Sequence, residues 1–575
     1  MADQPNTEQQ DTIISHDGTA FISACPGAGK TRCIVERARK LLSQDHNLFG
    51  IAFLSFTNAA ISELNERLRL SGLLSSPTFP NFVGTFDSFI WHYLVEPFGI
   101  GVNTQPLKLI PDTDNLMVSA YPGSREFPLN MFDRDTGAID QERAAQERFQ
   151  SDPAGFERAA IRMRATLKEN GHLDFQDVRD AAMANLNNPA LSSRLATVLR
   201  ARFKEIIVDE AQDCNPEDLF IVTWLRSTAL IPTKVVCDPH QSIYGFRGGV
   251  NQELFDFAGT FPQDEHLPLT GNFRSSSNIC KAVHMLRAPS HRGDEDTALG
   301  KNSGNEISIH ILSYSGAGVS TSIGASYLGL AEAHGFTPKD CRIVAKTRSS
   351  SNKANGLVNE GVGGTEVLKL AEAAMKFQYS SNPAEKLKAV VEAHKISLSI
   401  AGELENKTYH QAVNDLEIED LAWRGQFVKI LESLKYDVNN GDSRNEWIQR
   451  ARVQYSTFLP PGGRTISQRL RNEARLEEVL GVGPSTDLVS KTIHEVKGKE
   501  YPTVCIVLTT SSLKSILTHL EEESDEEWAE EARALYVAAS RAQQLLVFAC
   551  PRSQAKRLKD HLEASGAVVE TTEIL

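Results

Sequence analysis

No two cysteines in the 575-residue chain are spaced CxxC; the eight, at 25, 33, 214, 237, 280, 341, 505 and 550, are scattered singly. That argues against zinc and iron–sulfur sites and against a disulfide framework, and it fits a reducing compartment. No run of about 18 apolar residues occurs, so no transmembrane helix and no membrane partner is expected. The first residues, MADQPNTEQQDT, have no signal-peptide apolar stretch, and the expected location is the cytoplasm. Positive charge is in deficit: 60 Lys and Arg against 74 Asp and Glu leave a formal net charge of −14. This weighs mildly against a nucleic-acid partner without excluding one, because a basic groove can lie within an acidic protein. No nuclease constellation of the HxE or PD-ExK type, no NKxD-like guanine pocket and no internal repeat is apparent.

What is present begins with short apolar runs. TAFISA (19–24), GIAFLSF (50–56), EIIVDE (205–210) and KVVCD (234–238) form one set. ISIHIL (307–312), RIVA (342–345), TVCIVLT (503–509) and LLVFA (545–549) form another. Near-continuous apolar strands of this length suit parallel sheets covered on both faces, so the chain reads as α/β with two lobes. Residues 90–190 and 356–480 lack such runs and carry helix-forming stretches, including the basic 157–170 and EVLKLAEAAMKF (366–377). They read as helical insertions. Basic residues at 157–170 and 464–475 fit either DNA contact or a solvated helix face.

TAFISA leads into ACPGAGKTR (24–32) and then a helical stretch. Strand, glycine loop and helix are the context of a phosphate-binding loop. Residues Ala24, Gly27, Ala28, Gly29, Lys30, Thr31 and Arg32 are therefore the candidate nucleotide cradle. The glycines admit backbone amides to phosphate oxygens, Lys30 reaches the β- and γ-phosphates, and Thr31 offers its hydroxyl to Mg²⁺. EIIVDEAQD (205–213) supplies Asp209 as the second Mg²⁺ ligand and Glu210 to polarise the attacking water. Together they imply NTP hydrolysis but leave kinases, GTPases, transporters and motors open. The loop CDPHQSIYGFRGG (237–249), with a glutamine ahead of two aromatics and an arginine, reads either as a packed turn or as a relay between phosphate and a stacked base.

With DEAQD in place the chain resembles the UvrD/Rep/PcrA family of superfamily 1 helicases, in motif order and over nearly its whole length. Gln9 in NTEQQDTI stands where the family reads adenine. LSFTNAAISELNER (54–67) and VGTFDSF (83–89) resemble strand-contacting motifs, which implies DNA contacts at Phe56, Thr57, Asn58, Thr85 and Phe86. Many relatives have Lys and His where this chain has Ala59 and Asp87. HLDFQDV (172–178) matches a segment before DEAQD. In DPHQSIYGFRGG the resemblance makes Gln241 a γ-phosphate sensor and turns Tyr244, Phe246 and Arg247 toward DNA. LTGNFRSSSNI (269–279) makes Arg274 a phosphate arginine. KTIHEVKGKEYPTVCIV (491–507) sets Thr492, His494 and Lys497 near phosphates or DNA and Glu500 near the sugar. EEARALYVAASRAQQLLVF (530–548) makes Arg541 an arginine finger supported by Arg533.

The resemblance implies two RecA-like lobes: 1A (1–89 and 191–275) and 2A (276–355 and 481–575), with insertions 1B (90–190) and 2B (356–480). It implies ATP and Mg²⁺ as cofactors, single-stranded DNA and DNA junctions as partners, and 3′ to 5′ movement. The compact form also resembles helicase-like subunits of anti-phage systems such as Gabija, which implies as the alternative a DNA-sensing ATPase bound to a nuclease protein partner.

Overall fold

The computed structural model describes the chain apart from residues 1–4, 44–48, 75–77, 100–105, 111–115, 147–148, 150, 244–250, 317, 357–364, 381–382, 405–408, 417, 419–421, 438–441, 463, 474, 481–487, 524–525 and 575. By packing it divides into two units: residues 1–104, 175–357 and 488–575 form one, and 105–174 with 358–487 the other.

Each of the eight apolar runs forms a strand, and four further strands complete two six-stranded sheets. In the first sheet the strands are β1 (Ala20–Ala24), β2 (Gly50–Ser55), β3 (Phe82–Thr85), β4 (Phe203–Val208), β5 (Thr233–Cys237) and β6 (His266–Leu269). Their order is β6-β1-β5-β4-β2-β3. The second sheet holds β7 (Ile309–Tyr314), β8 (Cys341–Ala345), β9 (Val489–Thr492), β10 (Tyr501–Val507), β11 (Ala542–Pro551) and β12 (Val569–Ile574), ordered β9-β8-β10-β11-β7-β12. All pairings within both sheets are parallel, as in Phe53 opposite Ile207 and Cys505 opposite Val547. Parallel neighbours need crossover connections, and the helices that make them cover the sheets. Residues of β1, β2 and α2 (Lys30–Ser43) share one apolar core, while β10 and β11 feed cores on both faces of their sheet.

The first sheet also buries charge. Arg37 of α2 makes a two-pronged pair with Glu205 of β4 at 3.0 and 2.6 Å, and both side chains are 3% exposed. Arg37 Nη1 also donates to the Ile14 carbonyl at 2.9 Å, so the pair ties α1 (Glu8–Ser15) to the sheet.

In the second unit, helix Pro153–Glu169 buries Phe156 and Ala160 in a cluster with Phe127, Leu129 and Met131. A second cluster gathers helices Glu366–Tyr379, Pro383–Ala401, Arg424–Ser433 and Arg444–Tyr455 around the fully buried Trp447. The Trp447 indole N–H donates to the Leu434 carbonyl at 2.7 Å, and Tyr455 donates to the Ala393 carbonyl at 2.9 Å. No helix among the described residues is long and apolar enough to cross a membrane.

Candidate nucleotide site and strand-binding segments

β1 ends at the buried Ala24, and the next residues form a loop that enters α2 at Lys30. Gly27 (φ +72°) and Gly29 (φ +79°) take left-handed backbone, which glycine adopts without a side-chain penalty. A Cβ on Gly27 would also lie 2.6 Å from Arg274 Cβ. The Ala28 N–H donates to the Cys25 carbonyl at 3.2 Å, and the Ala28 carbonyl accepts from Gln10 Nε2 at 3.1 Å. Gln10 is buried and is a residue that motif reading passed over; its neighbour Gln9 exchanges hydrogen bonds with Thr270 at 3.0 and 3.1 Å. The loop therefore presents its amides and the positive end of α2 to one place, with Thr31 and Arg32 on the first turn.

Beyond β4 the backbone turns sharply. Glu210 is left-handed (φ 57°, ψ 39°), a conformation that costs a non-glycine residue about 1–3 kcal/mol and gathers at functional sites. Its N–H donates to Asp209 Oδ1 at 2.9 Å, and its carboxylate accepts from Gln212 Nε2. Lys30 Nζ lies 3.4 Å from Glu210 Oε1. Burial and the neighbouring Glu210 charge raise the Asp209 pKa. Burial also penalises the Glu210 anion, but Lys30 and Lys497 overcome it and hold that carboxyl below its usual range. Burial pulls Lys30 down, and Glu210, Asp209 and Asp238 more than reverse it. The outcome is an ionised Glu210 and a charged Lys30.

Contacts from the second lobe close this network. Arg541 Nη2 donates to Gln241 Oε1 at 2.6 Å, and Gln241 Nε2 donates to Asp238 Oδ2 at 2.8 Å. Asp238 in turn accepts from the Tyr536 hydroxyl at 3.2 Å, and its N–H donates to Gln212 Oε1 at 3.2 Å. Tyr536 and Gln212 lie inside recognised motifs, yet nothing local singles them out; their roles come from meeting Asp238. Lys497 grips both oxygens of Asp213 at 2.7 and 2.8 Å, and Arg533 donates to the Ser242 carbonyl at 2.7 Å. Arg274 donates to Glu500 at 2.8 Å and to the Ser540 carbonyl at 2.9 Å.

Arg541 is 2% exposed, and among the described residues its hydrogen-bond acceptors are neutral: Gln241 Oε1, the Val537 carbonyl at 3.0 Å and the Lys499 carbonyl at 3.4 Å. Burial, then the charge of Arg274, press its pKa downward. A guanidinium keeps its proton in proteins, so this is a buried cation that favours an anion beside it. The site thus fits a nucleotide phosphate. It fits Mg²⁺ as well, since Thr31 hydroxyl and Asp209 carboxylate are hard oxygen donors. Among the described residues no cluster of three or more His, Cys, Asp or Glu forms a protein-only metal cage; magnesium at phosphates keeps water and phosphate in its shell instead.

The expected strand contacts fall into separate groups. Thr57 caps α3 (Asn58–Leu70) by accepting from the Ala60 N–H at 3.2 Å, and Asn58 is exposed at its start. Thr85 caps the following short helix, accepting from the Ser88 N–H at 3.2 Å. Phe56 stacks on Phe86 with ring centroids 5.2 Å apart, and Phe86 is fully buried beneath it. Thr492 forms a capping box with Glu495, and His494 is exposed on the next turn. Tyr244, Phe246 and Arg247 lie outside the described residues.

Comparison with known proteins bears on the same segments. Residues 5–262 match the family model described as the UvrD/REP helicase N-terminal domain, and residues 484–553 match the UvrD-like helicase C-terminal domain; together these span more than half of the chain. ATP-dependent DNA helicase PcrA of Staphylococcus epidermidis is 24% identical over 94% of this chain and 82% of its own length. The Staphylococcus aureus protein of the same name is 23% identical over the same shares. With two parallel sheets, and a glycine loop and an acidic pair that follow strands of the first, the chain belongs to the UvrD/REP helicase family.

Proposed function

We propose that this chain is an ATP-dependent single-stranded DNA translocase and helicase that moves 3′ to 5′ and acts on single strands and DNA junctions in the cytoplasm. The observation that carries the reading is the buried Arg541, whose hydrogen-bond acceptors among the described residues are neutral, in one polar network with Lys30, Glu210 and Gln241. A cation from each lobe then faces the same nucleotide, so closing on ATP and reopening after hydrolysis becomes a mechanical stroke.

In this mechanism Lys30 and Arg541 bind the terminal phosphate from opposite lobes. Thr31 and Asp209 would hold Mg²⁺, which when bound neutralises charge on the β- and γ-phosphates. Glu210, kept ionised by Lys30 and Lys497, orients the attacking water and takes its proton. Gln241 bridges Arg541 to Asp238 and passes the state of the phosphate into the loop that continues to Tyr244, Phe246 and Arg247. Arg274 and Glu500 act at the junction of the lobes, and Gln9 reads the adenine. Phe56, Thr57, Asn58, Thr85, Phe86, Thr492 and His494 form the strand-binding side. The lobes are assigned as 1A (1–89, 191–275) and 2A (276–355, 481–575), with insertions 1B (90–190) and 2B (356–480). The name printed for the staphylococcal relatives, ATP-dependent DNA helicase, supports the same reading.

The test is steady-state ATPase with no nucleic acid, with single-stranded DNA and with RNA, followed by unwinding of 3′- and 5′-tailed duplexes. Expected are DNA-stimulated turnover, unwinding of the 3′-tailed duplex, and loss of turnover in Lys30→Ala. Turnover that ignores DNA would sink the motor reading, and full turnover in Lys30→Ala would sink the site. DNA-stimulated turnover that unwinds only when a nuclease partner is added would instead favour a subunit of an anti-phage nuclease complex.

A further inference from the structure

Asp87 puts a carboxylate in the VGTFDSF turn, the segment proposed to hold a polyanionic strand. An uncompensated acid there would repel phosphates. The structure supplies its counter-charge from a distant helix. Arg179, on α4 (Phe175–Asn187), reaches Asp87 Oδ1 with Nη2 at 2.6 Å and donates through Nε to Asp218 Oδ1 at 3.0 Å. The Arg179 side chain is 13% exposed, whereas Asp87 is 34% exposed.

Asp218 does not depend on Asp87 for its position. It belongs to the capping box of α5 (Pro216–Ser227): the Asn215 N–H donates to its Oδ2 at 3.2 Å, and its own N–H donates to Asn215 Oδ1 at 2.8 Å. Arg179 is therefore anchored at a buried carboxylate through Nε and offers Nη2 to Asp87. Burial alone would lower the Arg179 pKa, but Asp218 and Asp87 raise it, so it remains a fixed cation.

We infer that Arg179 is a positioning residue for DNA: it neutralises Asp87 so that the VGTFDSF turn can lie against a phosphate backbone. The inference rests on the strand-motor reading above and adds to it a residue that motif comparison does not mark. Asp87 and Arg179 act as a compensated pair. The acid is tolerated because the base is held 92 positions along the chain by a capping carboxylate.

The test is binding of fluorescein-labelled oligothymidylate to the full chain, measured by anisotropy at two salt concentrations, for wild type, Arg179→Gln, Asp87→Asn and the double variant. Loss of a charge-assisted contact of this kind predicts about tenfold weaker binding for Arg179→Gln. Restoration to near the wild-type value is expected in Asp87→Asn/Arg179→Gln, because the uncompensated acid is gone. Asp87→Asn alone, at a side chain one-third exposed, should bind at least as tightly as wild type, and this arm stands even if Arg179→Gln does not fold. Failure of the double variant to recover, or weaker binding by Asp87→Asn, overturns the compensation. Unchanged binding by Arg179→Gln overturns it too. A wild-type chain that does not bind the oligonucleotide overturns the functional reading itself, an outcome distinct from these.

Discussion

At the scale of single residues, Arg541 is the most exacting feature. Its side chain donates to carbonyl and amide oxygens, and among the described residues none of its hydrogen-bond acceptors carries charge. If it completes the phosphate site, Arg541→Ala should lower the DNA-stimulated turnover rate by about 10³-fold or more, with a smaller change in the KM for ATP. Arg541→Lys should recover little, because an ammonium lacks the fork that spans Gln241 and a phosphate. Stopped-flow phosphate release checks both, and a variant within about tenfold of wild type would remove Arg541 from the chemistry. Residue types in the motifs were legible from sequence, since Gly27, Gly29 and Lys30 keep the spacing of a glycine loop and Asp209 ends an apolar run. Gln10 was not, because its role is to hold the Ala28 carbonyl across a fold that brings α1 beneath the loop.

At the scale of elements, the eight strands legible as apolar runs include all the central ones, and β2 and β7 are buried at every position. The four that were not legible, β3, β6, β9 and β12, are the edges of the two sheets. β12 buries only its two end residues, so no continuous apolar run marks it. Elements also depend on buried charge. Glu205→Gln would strip the buried counter-charge from Arg37 and leave it the exposed Asp17 at 3.6 Å, and loss of one partner of a buried pair costs about 3–5 kcal/mol. The expected result is a lowered urea midpoint with an unchanged slope. In the second unit, His394 stacks on Trp423 at 4.2 Å, and burial holds its pKa down to about 4. The unfolded chain binds a proton near pH 6.5, the ordinary value for an imidazole, that the folded unit refuses, so stability present above that pH is lost as pH falls toward about 4. His394→Phe should remove this part of the acid sensitivity. Urea titrations at pH 7.5 and pH 5 followed by tryptophan fluorescence check it, and an equal acid loss in both proteins would contradict it.

At the scale of the whole first unit, the lobes meet through polar pairs that join residues far apart in sequence. Lys497 and Asp213 form a buried ion pair that bridges the lobes, with side chains 10% and 3% exposed. Lys497→Met leaves Asp213 buried without its cation and should loosen the interlobe contact. Hydrogen exchange at 203–213 and 489–507 is expected to rise in the variant, and nucleotide to restore part of the protection by bridging the lobes anew. Exchange equal to that of wild type would show that other contacts suffice to hold the lobes. The Asp238–Tyr536 bond and the Arg541–Gln241 bond cross the same junction and offer the nucleotide a ready path to both sheets.

The sequence by itself determined the two parallel-sheet lobes, the glycine loop ahead of α2 and the acidic pair after β4. These rest on local rules: apolar runs for buried strands, glycine for left-handed turns, and acidic residues where a buried strand ends. Only the tertiary structure decided that Lys497 pairs with Asp213, that Gln10 braces the loop, and that Arg179 answers the charge of Asp87. Each of those facts is a meeting of side chains carried by different elements, and no local pattern encodes which buried charge will find which partner.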